Sequence, residues 1–515
     1  MRSIVKPRDG LFIALAIILV GVYVLAGGGG FALDDSWIHQ TYARNLATYG
    51  EWAFIPGQPS AASTSPLYTV LLATGYVLGV HYTLWTHGLG AVTLALMGII
   101  SARMADILIL KSKLGPIFVG VSVMLIWQLI WAAASGMETL LFAMLIMWCS
   151  YLAWRELHAD QIHNRSVALR GFFLGASIAL ATLARPEGIV LGAWIGVAML
   201  IVRPQQSWQR FLVYGATAIV GFLLLISPYL LLNYQLTGGL LPNTAAAKFV
   251  QHEVLLQLPL STRVIDLFQT LQIGGQALTL PGILIYVVVI ARKPNRYWML
   301  YLLPLFWAVS LILIYALRLP AAYQHGRYVM SALPVLSFMG LVGLWFLLDW
   351  GQSAGPMLVL RRVLTRVAVI AAFGTILVFA LVPGLQAYQR DVAIINEEMV
   401  ASAKWIDEHI PQSELMAIHD IGAVGYFAPR DDMIDIAGLV SPDIVPIIND
   451  ADALWQYMED ADTRYLMAFP DQIPGDDPDD PRLCEVFSAD GPASAAVDGP
   501  TMAIYRLAWD GDCSS

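Results

Sequence analysis

The chain has 515 residues, of which 58% are hydrophobic and 13% are charged. Soluble domains carry about 25% charged residues, so most of this chain cannot face water. Residues 1–387 carry 23 Lys and Arg against 12 Asp and Glu, whereas residues 388–515 carry 6 against 26, so the net charge of −9 combines +11 with −20. This division predicts a membrane domain over 1–387 and an acidic soluble domain over 388–515, and it excludes a basic surface for nucleic acid.

Eleven apolar segments approach the roughly 20 residues that a helix needs to cross a bilayer, which predicts a mainly α-helical bundle of about 11 spans. The segments are 11–33, 84–108, 114–134, 137–153, 171–185, 188–202, 211–236, 268–291, 297–316, 328–348 and 367–387. Two short segments flank Arg185-Pro186-Glu187, which favours a tight hairpin at a membrane surface. The short apolar stretch 66–80 is interpreted as an interfacial helix.

The distribution of cations sets the expected orientation, because Lys and Arg near span ends are retained on the cytoplasmic side. With the amino terminus inside, 17 Lys and Arg fall on inner loops and six on outer loops. This predicts a multi-pass protein of the cytoplasmic membrane whose acidic C-terminal domain is extracytoplasmic. A cleaved signal peptide over 11–33 is the alternative for the first segment.

The acidic region alternates helical and strand-like stretches, which predicts a small α/β domain. Helices are expected at 392–409 and 451–460, strands near 415–418, 433–436 and 465–469, and a turn at Gly422. Cys484 and Cys513 either pair or remain two free thiols; an extracytoplasmic location would permit the pair. The residues Asp420, Gly422 and Gly425 suggest a phosphate loop, but we reject this because a third glycine is missing.

Asp34 and Asp35 follow directly after the first apolar segment and Gly27–Gly30. Their mutual repulsion and the low-dielectric border favour protonation, which raises the pKa of at least one carboxyl toward the range of a general base. A plain pair of acids that marks the water interface is the alternative. The following residues 36–49 have the apolar spacing of an amphipathic helix on the membrane surface.

These and later motifs resemble the outer loops of the GT-C superfamily of membrane glycosyltransferases, of the arabinofuranosyltransferase B or protein mannosyltransferase kind. The motifs are Asp34-Asp35-Ser36, Tyr42-Ala43-Arg44-Asn45-Leu46, Gly50-Glu51-Trp52, Ser65-Pro66-Leu67-Tyr68, Ser135-Gly136-Met137-Glu138-Thr139, Arg185-Pro186-Glu187-Gly188, Leu241-Pro242-Asn243-Thr244 with Lys248, and Gly326-Arg327-Tyr328. They span most of residues 1–350. Ala245–Ala247 stand where aromatic residues are expected before Lys248, which is a departure from the pattern.

The resemblance implies inverting transfer of a sugar from a polyprenyl-phosphate donor, with Asp34 or Asp35 as the base. The acceptor would be a glycan, lipid or protein, and membrane lipid would surround the enzyme. The residue types agree, since an attacking hydroxyl needs a base and a departing phosphate needs cations. The implied substrate-binding residues are His39, Tyr42, Glu138, Arg185, Glu187, Asn243, Lys248, His325 and Arg327.

Several of these assignments have a structural alternative. Glu138, Arg185 and Glu187 lie at outer span ends and either bind substrate or form structural ion pairs and helix caps. His325, Arg318 and Arg263 are either contributors to the site or ordinary loop residues. We expect no metal and no cofactor, because the nine His residues are scattered.

The competing function is a polytopic transporter or a flippase for lipid-linked sugars. Transporters place ionisable groups near the middle of the bilayer, whereas the unusual charges of this chain cluster at its outer border. A membrane-anchored binding protein that works through its acidic domain is a third possibility, but it would not need Asp34 and Asp35.

Overall fold

A computed structural model describes residues 6–60, 62–159, 164–205, 207–239, 248, 253–293 and 296–513. The chain folds as a large helical bundle followed by a small domain that contains a mixed sheet, which confirms the predicted fold class. The helices of the bundle are α1 (Asp9–Gly27), α2 (Asp35–Tyr49), α3 (Pro66–Val77), α4 (Tyr82–Leu108), α5 (Leu114–Met124), α6 (Trp127–Ala134), α7 (Thr139–Arg155), α8 (Asn164–Ala184), α9 (Gly188–Val202), α10 (Trp208–Thr237), α11 (Leu260–Leu271), α12 (Leu280–Ala291), α13 (Trp298–Arg318), α14 (Leu333–Gln352) and α15 (Leu358–Leu381).

Eight helices in the described residues are long and apolar enough to cross a membrane, and ten spans result if each of two bent pairs counts as one. The bent pairs are α5 with α6, at 58°, and α11 with the segment Gly275–Ala291, at 101°. Helix α9 has only 15 residues, fewer than a straight span needs. A multi-pass membrane bundle is confirmed, whereas the exact number of 11 spans is not.

Small residues set the closest helix contacts in the bundle. An added Cβ at Gly175 of α8 would meet the backbone of Ala218 in α10, and one at Gly221 of α10 would meet the backbone of Phe172. An added Cβ at Gly343 of α14 would likewise meet the backbone of Gly282 in α12. In lipid, such contacts supply much of the packing that hydrophobic exclusion supplies in water.

The last span continues into the small domain without an intervening loop. Helix α16 (Pro383–Ile395) follows α15 after a bend at Val382, where Pro383 removes the backbone donor that a straight helix would use. A π-helical turn at Asn396–Val400 and then α17 (Ala401–His409) continue α16. The consecutive helices from α15 through α17 are called the rod. The expected domain boundary after residue 387 therefore lies within α16.

The small domain contains a five-stranded sheet with the order β4-β3-β5-β7-β6. Its strands are β3 (Met416–Ile418), β4 (Ile434–Asp435), β5 (Tyr465–Ala468), β6 (Leu483–Ser488) and β7 (Ala503–Leu507); a separate hairpin, β1 (Ala53–Ile55) with β2 (Gln58–Pro59), lies in the first outer loop. Strand β3 pairs in parallel with β4 and β5, whereas β7 pairs antiparallel with β5 and β6.

Three further helices complete this domain: α18 (Ile421–Phe427), α19 (Ala451–Asp460) and α20 (Pro492–Ala495). The turn predicted at Gly422 is wrong, because Gly422 lies in the first turn of α18. Ile421 and Val424 are buried against the first outer loop, and this tertiary contact supports a helix despite the two glycines.

The small domain and the first outer loop share one hydrophobic core. Trp37 of α2 packs edge-on against Phe427, with ring centroids 4.6 Å apart, and also against Tyr426. Arg44 of α2 donates hydrogen bonds to the carbonyl oxygens of Tyr426 and Gly425, at 2.8 and 3.0 Å. The small domain is therefore docked on the end of the bundle that carries α2.

A disulfide joins Cys484 of β6 to Cys513, with Cα atoms 5.5 Å apart, and it resolves the pairing that the sequence left open. The bond closes a loop of 29 residues and ties the end of the chain to the edge strand of the sheet.

Replacing both cysteines, as Cys484→Ser with Cys513→Ser, should lower the free energy of unfolding of the small domain by roughly 3 to 4 kcal/mol, the loop entropy of a crosslink of this length. Thermal unfolding with and without reductant measures the effect. The wild type should become less stable in reductant and the double variant should not change. Equal melting of both proteins in the absence of reductant would contradict the prediction.

Candidate active site

The first span ends in glycines that unwind the helix, and two carboxyl groups follow it directly. Gly28, Gly29 and Gly30 all have left-handed backbone, with φ of 73°, 97° and 94°, which is a conformation that other residues rarely adopt. The chain then passes through buried Phe31–Leu33 and starts α2 at Asp35. The two carboxylates are fixed at a sharp corner between a span and an interfacial helix.

Asp34 faces the small domain. Its two carboxylate oxygens accept hydrogen bonds from the backbone N–H groups of Gly422 and Ala423, at 2.7 and 2.8 Å. Burial and the nearby Asp420 carboxyl raise the pKa of Asp34 to about 8, although the two N–H donors oppose this shift. The rejected phosphate loop is therefore a turn whose backbone N–H groups bind a carboxyl group of the chain itself, that of Asp34.

Asp35 faces the other way, into a cavity of about 510 Å³ between the helix ends. One of its oxygens contacts the guanidinium of Arg327, and the other lies 3.9 Å from Nζ of Lys248. Burial favours the neutral acid, but Arg327 and then Lys248 outweigh it and hold the pKa of Asp35 well below its usual range. Asp35 is ionised at neutral pH.

Tyr328 lies beside the same two cations. Nη2 of Arg327 donates a hydrogen bond to the Tyr328 hydroxyl at 3.1 Å, and Nζ of Lys248 lies 5.9 Å from the centre of the ring. Burial opposes ionisation of the phenol, yet Arg327 and Lys248 lower the pKa of Tyr328 to about 7. At this end of the cavity, Arg327 and Lys248 thus face one carboxylate and one phenol.

A second charged cluster lines the opposite wall. Glu138 lies 3.3 Å from Nε2 of His39 and 3.6 Å from Nη1 of Arg185. Although Glu138 is buried, hydrogen bonding to His39 and the charge of Arg185 lower its pKa to about 2. Nε of Arg185 lies 3.6 Å from Glu187, and its Nη2 donates to the Tyr315 hydroxyl at 2.6 Å.

Six of the nine residues predicted to bind substrate line the cavity together with Asp35: His39, Glu138, Arg185, Glu187, Lys248 and Arg327. Their roles stay predictions. The structure also places Tyr315 and Tyr328 in its wall, for which no role is predicted from the sequence, and Leu439 of the small domain, which no motif marked. Asn243 lies outside the described residues.

Tyr42 and His325 lie away from the cavity wall. The buried Tyr42 hydroxyl contacts Oγ of Ser60 at 2.6 Å and accepts the N–H of Ala62 at 3.0 Å, so it fixes the first outer loop. Nε2 of His325 lies 2.7 Å from Asp391 of α16, which also accepts a hydrogen bond from Trp131.

His325 lies in an irregular turn that positions Arg327. Gln324, His325 and Gly326 all have left-handed backbone, with φ of 51°, 59° and 69°, which costs energy for the first two residues. The contact between His325 and Asp391 compensates by holding the turn against α16. The His325 side chain thus fixes the backbone that carries Arg327 into the cavity.

No group of three or more His, Cys, Asp or Glu side chains with the spacing of a metal site occurs in the part of the chain that the structure describes. The charged groups of the cavity instead form two sets of ion pairs. Counting His39 as neutral, four cations and three carboxylates line it, for a net charge of +1.

Solved structures with the same fold include two of ArnT from Cupriavidus metallidurans. The form bound to undecaprenyl phosphate superposes with a TM-score of 0.64 at 16% sequence identity, over 97% of this chain and 98% of that chain. The apo form superposes with a TM-score of 0.58 at 14% sequence identity, over 98% of both chains. The apo form of the oligosaccharyltransferase from Archaeoglobus fulgidus superposes with a TM-score of 0.56 at 11% sequence identity, over 94% of this chain and 73% of that chain.

The chain has the GT-C fold. This confirms the resemblance at the level of the fold. A family described as a domain of unknown function (DUF8728) matches residues 386–505. No curated protein sequence matches the chain.

The contact of Asp34 with α18 yields a structural prediction. An added methyl in Gly422→Ala would collide with the carbonyl and carboxylate oxygens of Asp34, so the small domain must shift. Overpacking of this kind costs about 1 to 3 kcal/mol, which should lower the melting temperature. Gly196→Ala is the matched control, since a Cβ there meets nothing within 4 Å. Equal melting of the two variants would contradict the contact.

The raised pKa of Asp34 also predicts a pH dependence. Because its folded pKa of about 8 exceeds the ordinary 3.8, its contribution to stability is complete below the lower value and is lost as the pH rises through the higher one. Wild-type melting temperature should therefore fall more steeply over this window than that of Asp34→Asn. Slopes are compared because the substitution also changes the hydrogen bonds to Gly422 and Ala423. Parallel slopes would contradict the shift.

Proposed function

We propose that this protein is a glycosyltransferase that moves a sugar from a polyprenyl-phosphate donor to a hydroxyl of a glycan, lipid or protein acceptor at the outer face of the cytoplasmic membrane. The observation that carries the proposal is one cavity at the outer helix ends where a carboxylate, Asp35, faces two cations, Arg327 and Lys248. The GT-C fold supports lipid-linked sugar transfer in general.

Arg327 and Lys248 are suited to the donor phosphate. A guanidinium offers two parallel N–H donors to phosphate oxygens, and an ammonium adds a point charge. Both cations stabilise the negative charge that builds up on the departing phosphate as the glycosidic bond breaks, so the leaving group needs no proton. ArnT bound to undecaprenyl phosphate, which shares the fold, supports a lipid phosphate as ligand.

Asp35 is suited to be the base. Transfer with inversion forms a bond between the acceptor oxygen and the anomeric carbon while the bond from that carbon to the phosphate oxygen breaks, and the acceptor proton passes to the base. Of the two adjacent carboxylates, Asp35 lines the cavity, whereas both oxygens of Asp34 accept hydrogen bonds from Gly422 and Ala423. We therefore assign Asp34 to positioning the small domain.

The wall formed by Glu138, Arg185 and Glu187 is suited to sugar hydroxyls. These groups are held by mutual ion pairs and by Tyr315, so their orientation is fixed before substrate arrives. Carboxylates accept hydrogen bonds from hydroxyls and the guanidinium donates them, which allows recognition of a sugar ring.

The disulfide between Cys484 and Cys513 supports the extracytoplasmic location of the small domain, since disulfides persist in oxidising compartments. This agrees with the orientation from the cations, which places the cavity at the outer face. The cluster of charged groups at helix ends, away from the middle of the bundle, weighs against a transporter or flippase.

Transfer of labelled sugar from a panel of polyprenyl-phosphate donors by purified protein tests the proposal. Asp35→Asn should lose about 10²- to 10⁴-fold in rate, the usual contribution of a general base. Asp34→Asn makes the same substitution one residue away and should retain much more activity. Full activity in Asp35→Asn would overturn the assignment of the base. No transfer by the wild type from any donor of the panel would count against the enzyme class.

A further inference from the structure

Asp35 already forms ion pairs in the protein without substrate. Its two oxygens are directed at Arg327 and Lys248, the same two cations that suit a donor phosphate. The Arg327 side chain is 7% exposed, so this guanidinium is fixed by its surroundings and has little freedom to leave. A carboxylate and a phosphate compete for the same donors.

In the described part of the chain, the ion pairs of Asp35 within 4 Å are those with Arg327 and Lys248. His39 follows one helical turn later, lies against Glu138 and lowers the pKa of Asp35 less than the two cations do. Tyr328 accepts a hydrogen bond from Arg327. The remaining acidic neighbours, Asp34 and Asp420, repel a carboxylate. Arg327 and Lys248 are thus the groups that hold Asp35 ionised and electrostatically satisfied.

We propose, resting on the function proposed above, that Asp35 occupies the phosphate subsite of the empty protein as an internal counter-ion, and that the donor phosphate displaces it from Arg327 and Lys248 and so frees it as the base. The ligand class of the subsite is a polyprenyl phosphate or its sugar diester. The exchange makes binding ordered, with the donor before the acceptor.

The exchange follows from the charges of the cavity. Its described lining has a net charge of +1, with Arg185, Lys248, Arg318 and Arg327 against Asp35, Glu138 and Glu187. One phosphodiester neutralises this excess. Once the phosphate compensates Arg327 and Lys248, the cause that weakens Asp35 as a base is removed, and the carboxylate gains affinity for the acceptor proton.

Without the donor, the ion pair keeps the carboxylate from acting on other hydroxyl groups in the cavity. The base becomes effective when the phosphate and therefore the reacting sugar are in place. Asp35 is in this way both a catalytic residue and a sensor of the bound donor.

Affinity for a short-chain polyprenyl phosphate in detergent tests the exchange. Asp35→Asn removes the competitor and should bind about tenfold more tightly than the wild type, a difference of about 1.4 kcal/mol. Glu138→Gln removes an equal charge from the same cavity but its partners are His39 and Arg185, so its affinity should change by less than about threefold. Arg327→Gln should bind more weakly than the wild type.

Folding is checked by elution volume and melting temperature, and Asp35→Ser provides a second removal of the charge if Asp35→Asn does not fold. Equal or weaker binding by the folded Asp35 variant would overturn the exchange. So would a gain in Glu138→Gln as large as that in Asp35→Asn, because it would show a general effect of cavity charge.

The binding assay does not need turnover, so its outcome separates from that of the transfer assay. Tighter binding by Asp35→Asn together with no transfer by the wild type would support the phosphate subsite and count against the enzyme. Transfer by the wild type with unchanged binding by Asp35→Asn would support the enzyme and overturn the exchange.

Discussion

The arrangement of this site depends on the divergence of two adjacent carboxylates at the start of one helix. Asp34 and Asp35 both have the backbone of the first turn of α2, where successive side chains differ in direction by about 100°. One therefore faces backbone donors of the small domain and the other faces cations of the bundle. Two acidic groups that would repel each other when both are ionised are held by separate partners, and their pKa values shift in opposite directions.

The small domain is part of the cavity and of its support. Gly422 and Ala423 donate hydrogen bonds to Asp34, and Leu439 contributes to the cavity wall. Trp37 packs against the helix that contains Gly422. The rod from α15 through α17 joins this domain to the last span, and Asp391 on the rod holds His325 in the turn before Arg327. Both ends of the ion pair between Asp35 and Arg327 thus depend on the same domain.

The sequence was informative where local physics decides the outcome. Apolar length identified the spans, and charged residues near span ends, such as Glu138, Arg185 and Arg327, line one cavity because these helix ends meet on one side of the bundle. It was not informative where contacts between distant parts of the chain decide. Gly422 meets Asp34 across 388 residues, and that contact gives Asp34 surroundings that differ from those of Asp35.

Two other features had no signal in the sequence. Hydropathy gave one span for 114–134, but the chain bends by 58° at residues 125–126, because composition does not report helix direction. The left-handed turn at Gln324 and His325 also has no marker, since both residues ordinarily avoid that backbone. The role of His325 in substrate binding stays a prediction; the structure places its side chain against Asp391, in the turn before Arg327.

The volume of the cavity limits which part of a lipid can bind in it. About 510 Å³ suits a small polar ligand and is far too small for a long isoprenoid chain. For the proposed donor, the hydrocarbon must stay in the bilayer while the phosphate and sugar enter from the side. Such an enzyme would distinguish donors by their headgroups and tolerate different chain lengths, and the membrane itself would determine which lipids reach it.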